Sequence, residues 1–177
     1  ILNAIPTAGS YNAVLVLVRG LFGGQAATVV VQGAKTIPLA ESLGERGTLL
    51  ALAATAHHAL GPDPAGHVAQ LPDLIVGHGA LGRLIARLVV HYQTAHHAQH
   101  GHAYTPPTVW ETNPIRQRGA LGYAVMHPDA DTHTTYRAIC DVSGANGLLD
   151  TLISRLAPGG EICLGGFYSD AVSFTFP

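Results

Sequence analysis

The chain has 177 residues, enough to bury a sizeable core and to form one domain, or one domain with part of another. Its net charge of -2 offers no basic patch for nucleic acid, and its apolar runs, such as residues 49–56, are too short to cross a membrane. Only 11% of the residues are charged, which favours an apolar partner or missing protein surface. A homo-oligomer is also a possible assembly.

The chain contains two cysteines, Cys140 and Cys163, which fall in separate predicted core strands. Because no signal peptide precedes the first strand-like run, we expect buried thiols in a soluble protein of the reducing cytoplasm. No cysteine cluster has the spacing of a zinc site, so we expect no metal. The chain begins at Ile1 and stops at Pro177 after a strand-like run, so we expect both ends to be cuts.

The first part of the chain, residues 1–47, is predicted to be a β-rich piece too short for a full domain. It has strand-like runs at residues 13–18 and 27–31, separated by turn glycines. Residues 48–70 are predicted to form a connecting segment, with a helix over residues 48–60 and then a loop with two prolines.

A glycine-rich turn follows, between a predicted strand and a predicted helix. The apolar run at residues 74–76 is typical of a buried strand, and apolar residues recur at helical spacing over residues 81–88. Gly77 permits a sharp turn out of the strand, Gly79 lets a pyrophosphate approach the backbone, and Gly82 lets the helix pack closely on the strand.

The phosphates of a dinucleotide would then lie at the start of this helix, where free N–H groups and the helix dipole favour negative charge. The whole turn is therefore predicted to bind a dinucleotide; it comprises Gly77, His78, Gly79, Ala80, Leu81 and Gly82.

A second short strand is predicted at residues 108–110 and ends in Glu111. An acidic side chain there accepts hydrogen bonds from ribose hydroxyls and repels a 2'-phosphate, which favours NAD over NADP. The 29 positions between the turn and Glu111 exceed the usual gap of about 20, and we attribute the excess to a His-rich polar loop over residues 93–107. Arg116 and Arg118 are nearby cations, which we predict to be surface helix positions rather than ligands of a 2'-phosphate.

The remaining chain continues the alternation of strands and helices. Strands are predicted at residues 123–125 after a short helix, then at residues 136–142, 161–164 and 172–176. A helix over residues 148–156 ends at a Pro-Gly-Gly turn.

This alternation predicts an α/β fold with a doubly wound parallel Rossmann sheet, preceded by the partial β-rich segment. Ligands bind such sheets at the carboxyl ends of the strands, where Gly77, Glu111, Ser143 and Gly166 fall.

Several motifs resemble the medium-chain dehydrogenase/reductase superfamily, in which a GroES-like catalytic domain precedes a Rossmann coenzyme domain. They are Gly-Leu-Phe-Gly-Gly at 20–24, Leu-Ala-Leu-Ala-Ala-Thr-Ala at 50–56, the glycine turn at 77–82 and Ala-Pro-Gly-Gly-Glu at 157–161.

More narrowly, three motifs resemble the dehydrogenases of bacteriochlorophyll biosynthesis. They are Leu-Pro-Asp-Leu-Ile-Val-Gly-His-Gly at 71–79, Thr-Val-Trp-Glu-Thr at 108–112 and Tyr-Arg-Ala-Ile-Cys-Asp-Val-Ser-Gly at 136–144. The likeness covers residues 19–177 apart from the His-rich insertion.

The resemblance implies an NAD-dependent alcohol dehydrogenase that oxidises the 1-hydroxyethyl group of a chlorin, a bacteriochlorophyllide, to an acetyl group. It implies that Thr55 and Ser143 lie near the nicotinamide end of the coenzyme, and that Gly166 and Phe167 offer backbone hydrogen bonds to its carboxamide. In domain terms, residues 1–47 would be a remnant of the GroES-like catalytic domain, and residues 71–177 a C-terminally incomplete NAD-binding domain.

The resemblance leaves the proton acceptor unnamed, because most of the catalytic domain is missing. His57, His58 and His78 are candidates, since an imidazole titrates near neutral pH. His57 and His58 are consecutive on a helix and cannot both face one site, and His78 is expected to line the pyrophosphate instead.

Three alternatives remain open at the level of sequence. The first is a quinone or enoyl reductase of the same superfamily, which would prefer NADPH. The second is an S-adenosylmethionine-dependent methyltransferase, which an antiparallel final strand would favour. The third is a truncated subunit that binds a nucleotide without catalysis.

Overall fold

The computed structural model describes residues 14–16, 36–61, 70–101 and 104–175. The chain divides into two compact units, residues 1–51 and 52–177. The domain boundaries expected from the sequence, residues 1–47, 48–70 and 71–177, stay a prediction.

The first unit contains a small antiparallel pair, β1 (Val14–Val16) with β2 (Thr36–Pro38), followed by a 3-10 segment, Glu41–Leu49. β1 lies inside the first predicted strand-like run, whereas the run at residues 27–31 lies outside the described residues. Helix α1 (Leu50–Ala59) comes next, where a helix is predicted.

The second unit holds a five-stranded sheet. Its strands are β3 (Leu74–Val76), β4 (Thr108–Trp110), β5 (Ala124–Met126), β6 (Tyr136–Asp141) and β7 (Leu156–Leu164). The order across the sheet is β5-β4-β3-β6-β7, and each pairing is parallel. Helix α2 (Ala80–His100) links β3 to β4, and helix α3 (Leu149–Ser154) links β6 to β7. The predicted α/β fold with a parallel Rossmann-type sheet is confirmed.

Each face of this sheet buries its own hydrophobic cluster, because successive strand residues point to opposite faces. Ile75 belongs to the cluster that contains α1 and α2 residues such as Ile85. Leu74 and Val76 belong to the other cluster, which includes Leu152 of α3. β3 is therefore buried on both faces at the centre of the sheet, as its unbroken apolar run predicts.

The His-rich segment is helical over residues 93–100, so the prediction of a loop there is wrong. α2 continues to His100 and ends at Gly101, whose φ of 70° is the left-handed conformation that closes many helices. No Gly or Pro interrupts residues 93–100. A helix already anchored on the sheet by its first turns therefore propagates through them despite their polarity.

The short helix predicted before β5 is also wrong, because turns occupy residues 114–117. The Asn113 side chain accepts a hydrogen bond from the Ile115 N–H at 2.9 Å, which favours a turn over a helix. Gly119 and Gly122 follow with φ values of 81° and 78°, which a right-handed helix excludes. Arg116 and Arg118 consequently lie in a loop rather than on a helix.

The last strands also differ from prediction. β7 begins at Leu156, and the predicted Pro-Gly-Gly turn is an irregularity inside it, where the register with β6 shifts and Gly159 has a φ of 75°. The strand predicted at residues 172–176 is absent over 172–175. There the Thr175 N–H donates to Oδ1 of Asp150 at 2.7 Å instead of to a neighbouring strand.

Candidate functional site

A cleft of about 270 Å³ opens at the carboxyl ends of β3, β4 and β6, where a parallel sheet is expected to bind its ligand. The residues that line it are Val76, Gly77, Gly79, Trp110, Glu111, Thr112, Arg116, Pro128, Val142, Ser143, Ala145 and Leu148. Four predicted site residues, Gly77, Gly79, Glu111 and Ser143, therefore meet in one place although they come from three strand ends.

The glycines of the turn have separate spatial roles. Gly77 has a φ of 100°, and a Cβ there would lie 3.0 Å from the Ser143 Cα. A Cβ on Gly82 would lie 1.8 Å from the Gly77 carbonyl oxygen, so only glycine allows α2 to start this close to β3. A Cβ on Gly79 would have no neighbour within 4 Å, which leaves open space beside the backbone.

α2 begins at Ala80 with Gly79 as its N-cap. The first N–H groups of a helix have no partner within it, so this end of α2 presents donors and the positive end of its dipole to the cleft. Ala80 is exposed, whereas the Leu81 side chain packs against the core. The arrangement has what a pyrophosphate requires: open space, N–H donors and close packing behind them.

Glu111 is 8% exposed and fastens two loops with one carboxylate. Its Oε2 accepts the His78 N–H at 3.0 Å, and its Oε1 accepts the Asn113 N–H at 2.8 Å. Each carboxylate oxygen has a further lone pair, so the side chain can still accept a hydrogen bond from a ligand hydroxyl in the cleft. Glu111 is therefore both a structural anchor of the glycine turn and a candidate ribose acceptor.

His78 is fully buried, and its ring points away from the cleft. Its Nδ1 lies 2.6 Å from the Arg116 carbonyl oxygen, which can only accept, so Nδ1 carries the proton. Its Nε2 then accepts the Tyr123 hydroxyl at 2.8 Å. Burial lowers the pKa of His78, against the raising effect of the Arg116 carbonyl, so the ring is held neutral.

The side chain of His78 therefore does not line a pyrophosphate in this cleft, and it joins the turn to the loop before β5. Arg83 reinforces the same junction, since it donates to the carbonyl oxygens of His78 at 3.1 Å and Arg116 at 2.8 Å. Sequence reasoning missed Tyr123 and Arg83, because neither belongs to the glycine pattern and Tyr123 is 45 positions from its partner.

A second hydrogen-bonded group lies at the carboxyl end of β6. Asp141 is 2% exposed, and its Oδ1 accepts both the Ser143 hydroxyl at 2.7 Å and the Ser143 N–H at 2.9 Å. Its Oδ2 accepts the Tyr168 hydroxyl at 3.0 Å. Burial, and then the charge of Asp141, raise the pKa of Tyr168. Asp141 thus fixes the direction of Ser143; its place at the end of an apolar run could have signalled it.

The loops after β6 and β7 touch through glycines. A Cβ on Gly166 would lie 2.9 Å from the Gly144 nitrogen, and one on Gly144 would lie 2.7 Å from the Phe167 carbonyl oxygen. The Phe167 ring is 98% exposed. Thr55 is exposed on α1, and Thr55, Gly166 and Phe167 are not among the residues that line the cleft.

The candidate proton acceptors are not brought together at this cleft. His57 is half-buried on α1, and its ring centroid lies 6.2 Å from that of Tyr92 with the two rings tilted by 36°. His58 is exposed. Across the described residues, no group of three or more His, Cys, Asp or Glu side chains could hold a metal ion. Among the helices described, none combines the length and apolar character needed to cross a bilayer.

Comparison with curated proteins gives close relatives, although no family model matches the chain. The chain is 50% identical over 172 residues to 2-desacetyl-2-hydroxyethyl bacteriochlorophyllide A dehydrogenase of Rhodobacter capsulatus, which covers 97% of the chain and 49% of the relative. It is 48% identical over 159 residues to the protein of the same name from Cereibacter sphaeroides, covering 90% and 46%. The chain thus spans about half the length of the curated relatives it matches.

Solved structures of two dehydrogenases share the fold. A putative zinc-binding dehydrogenase from Sinorhizobium meliloti 1021, bound to NADP, superposes with a TM-score of 0.60 at 15% identity, covering 84% of this chain and 45% of that one. The alcohol dehydrogenase TADH from Thermus sp. ATN1 gives 0.53 at 16% identity, covering 71% and 36%. The two curated relatives confirm the resemblance to dehydrogenases of bacteriochlorophyll biosynthesis that the sequence motifs indicate, and the two solved structures share the fold.

Proposed function

We propose that this chain is the coenzyme-binding part of an NAD-dependent alcohol dehydrogenase that oxidises the 1-hydroxyethyl group of a bacteriochlorophyllide to an acetyl group. The observation that supports it most is 50% identity, over 97% of the chain, to a dehydrogenase named for this class of substrate. The matched region includes every residue of the cleft. The activity is proposed for the cytoplasm, and assembly into a homo-oligomer stays a prediction.

The residues of the cleft fit a dinucleotide. The N-terminus of α2 and the backbone of residues 77–82 would bind the pyrophosphate, because Gly79 leaves open space there. Glu111 would accept the adenosine ribose hydroxyls. Ser143, oriented by Asp141, would face the nicotinamide end together with Thr55 and the backbone of Gly166 and Phe167.

A nicotinamide coenzyme, when bound, supplies the acceptor for the hydride that leaves the carbinol carbon as the C–OH group becomes C=O. The chain's own contribution is to hold that acceptor in one orientation and to fix the charge around it. The hydroxyl proton must pass to a base, and no histidine among His57, His58 and His78 is placed at the cleft to take it.

The preference for NAD rests on charge. Glu111 is a buried carboxylate at the cleft wall, where a 2'-phosphate would meet its negative charge at short range. Arg116 also lines the cleft and is exposed, so it is the cation that an NADP-dependent site would use. The preference between NAD and NADP therefore depends on which is stronger at the 2'-position of the ribose, the repulsion by Glu111 or the attraction by Arg116.

Fluorescence titration of the chain with NADH and NADPH tests the proposal. We expect tight NADH and weak NADPH binding, and we expect Glu111→Ala to weaken NADH about 10-fold to 100-fold, since hydrogen bonds to a carboxylate contribute roughly 1.5–3 kcal/mol. Glu161→Ala is the matched control, because that carboxylate is exposed on β7 and lies outside the cleft.

Glu111 also anchors two backbone N–H groups, so circular dichroism must show that the variant is folded. Glu111→Gln keeps one acceptor oxygen and removes the charge. It should therefore reduce the difference in affinity between NADH and NADPH. If a folded wild-type chain bound neither nucleotide, the proposed coenzyme role would be wrong.

Two alternatives have an observation in their favour. An NADPH-dependent quinone or enoyl reductase is favoured by Arg116 in the cleft and predicts NADPH as the tighter ligand. A non-catalytic nucleotide-binding subunit is favoured by the absence of His57, His58 and His78 from the residues that line the cleft, and it predicts NADH binding without hydride transfer. The methyltransferase loses support, since all the pairings in the described five-stranded sheet are parallel.

A further inference from the structure

The two cysteines of the chain lie side by side. Cys140 on β6 and Cys163 on β7 are directly paired in the parallel register, so both side chains project from the same face of the sheet. Neighbouring strands are about 4.8 Å apart, which lies within the range of roughly 4.4–6.8 Å that a disulfide spans between Cα atoms.

The pair opens into a cavity separate from the nucleotide cleft. This cavity measures about 440 Å³ and lies between the end of α1 and strands β6 and β7. Its lining residues include both cysteines and share no member with those of the cleft. A small thiol-reactive molecule therefore has room to reach the exposed Cys163.

The two thiols differ in access to solvent. Cys163 is exposed and its Sγ donates weakly to the Ala59 carbonyl oxygen at 3.9 Å, whereas Cys140 is 1% exposed. Burial, together with the adjacent Cys163, raises the pKa of Cys140 to about 12, so Cys140 remains a thiol at neutral pH. β7 pairs only with β6 in the described sheet, so it is an edge strand there.

We propose that Cys163 and Cys140 form a thiol modification site for small disulfides of the glutathione class, with Cys163 as the attacking thiol and Cys140 as the resolving thiol. The Cys163 thiolate attacks RSSR to give Cys163–S–S–R and RS⁻. Cys140 attacks the Cys163 sulfur while its proton passes to the departing thiolate, which breaks the mixed disulfide and releases the second RSH. The two protein thiols are oxidised by two electrons, and one RSSR is reduced to two RSH.

The test uses the full chain, incubated with oxidised glutathione and followed by intact mass and non-reducing peptide mapping. We expect a transient glutathione adduct on Cys163, replaced by a Cys140–Cys163 disulfide that reduction reverses. Cys140→Ser should accumulate the adduct on Cys163. Cys163→Ser should react at least about tenfold more slowly, because only the buried thiol remains.

Circular dichroism of both variants keeps the comparison to folded chains. A first adduct on Cys140 or disulfides between chains would overturn the proposal. Reaction of the wild type only after denaturation would overturn it as well.

Discussion

The buried histidine of the glycine turn is a feature at the scale of a single residue that has a consequence for stability. His78 lies in the glycine turn, yet its ring serves the fold by joining Arg116 and Tyr123. The sequence could place His78 in the turn from its glycine neighbours. It could not give the direction of the ring, which depends on partners 38 and 45 positions away.

Acidification should destabilise the chain through this residue. The pKa of His78 is lowered from 6.5 in the folded state, mainly by burial, so the unfolded chain takes up the proton first as the pH falls. Its contribution to the free energy of unfolding is complete above pH 6.5 and is lost as the pH falls through the folded pKa. Urea unfolding at about pH 7.5 and about pH 5.5 should show this loss.

His78→Asn provides the comparison, since its amide can still donate to the Arg116 carbonyl but cannot titrate. We expect the variant to be less stable than the wild type at the higher pH and to lose less stability on acidification. His58→Asn, on an exposed position, should retain the wild-type pH dependence. Equal pH dependence in wild type and His78→Asn would contradict the assignment.

At the scale of elements, the unit of β3, turn and α2 was largely predictable, because its signals are local. An apolar run, three spaced glycines and helical periodicity lie within residues 74–88. The end of α2 was not predictable in this way. The polar composition of residues 93–100 suggested a loop, but the helix continues because no Gly or Pro interrupts it. The irregularity of β7 also escaped prediction, because it depends on the register with β6.

Substitutions in the turn should separate packing from binding. Gly82→Ala places a methyl group 1.8 Å from the Gly77 carbonyl oxygen, so α2 must move off β3. We expect a loss of about 1–3 kcal/mol or more in the free energy of unfolding, measured with urea. Gly79→Ala meets no atom within 4 Å and should be close to neutral for stability. It should weaken NADH binding, because it adds a methyl group to a residue that lines the cleft.

Each of the two variants is the control for the other, since both replace a glycine of the same turn with alanine. If Gly79→Ala left NADH affinity unchanged, the pyrophosphate would not lie against this backbone. If Gly82→Ala were as stable as the wild type, the close approach of α2 to β3 would be incorrect.

At the scale of the molecule, alternation of strands and helices predicted the parallel sheet, and the rule for strand ends predicted where its cleft lies. The hydrogen bonds that tie the loops together could not be predicted, because they join distant residues. Asp141 meets Tyr168 across 27 positions, and Glu111 meets the His78 backbone across 33. Pattern therefore locates the candidate site, and long-range contacts decide which side chains face it.

A chain that spans half of its relatives should still respond to coenzyme as a folded unit, because residues 52–177 contain every residue that lines the cleft. A ligand that binds only the folded state at about 100 times its Kd adds about 2.7 kcal/mol. For a unit of this size, that corresponds to a rise of roughly 5–15 °C in the thermal midpoint. Calorimetry with NADH should show this rise, and NADPH at the same concentration should give a smaller one. If the chain unfolded cooperatively but NADH left the midpoint temperature unchanged, the sheet would be folded without binding the coenzyme. That result would contradict the proposed role of the cleft.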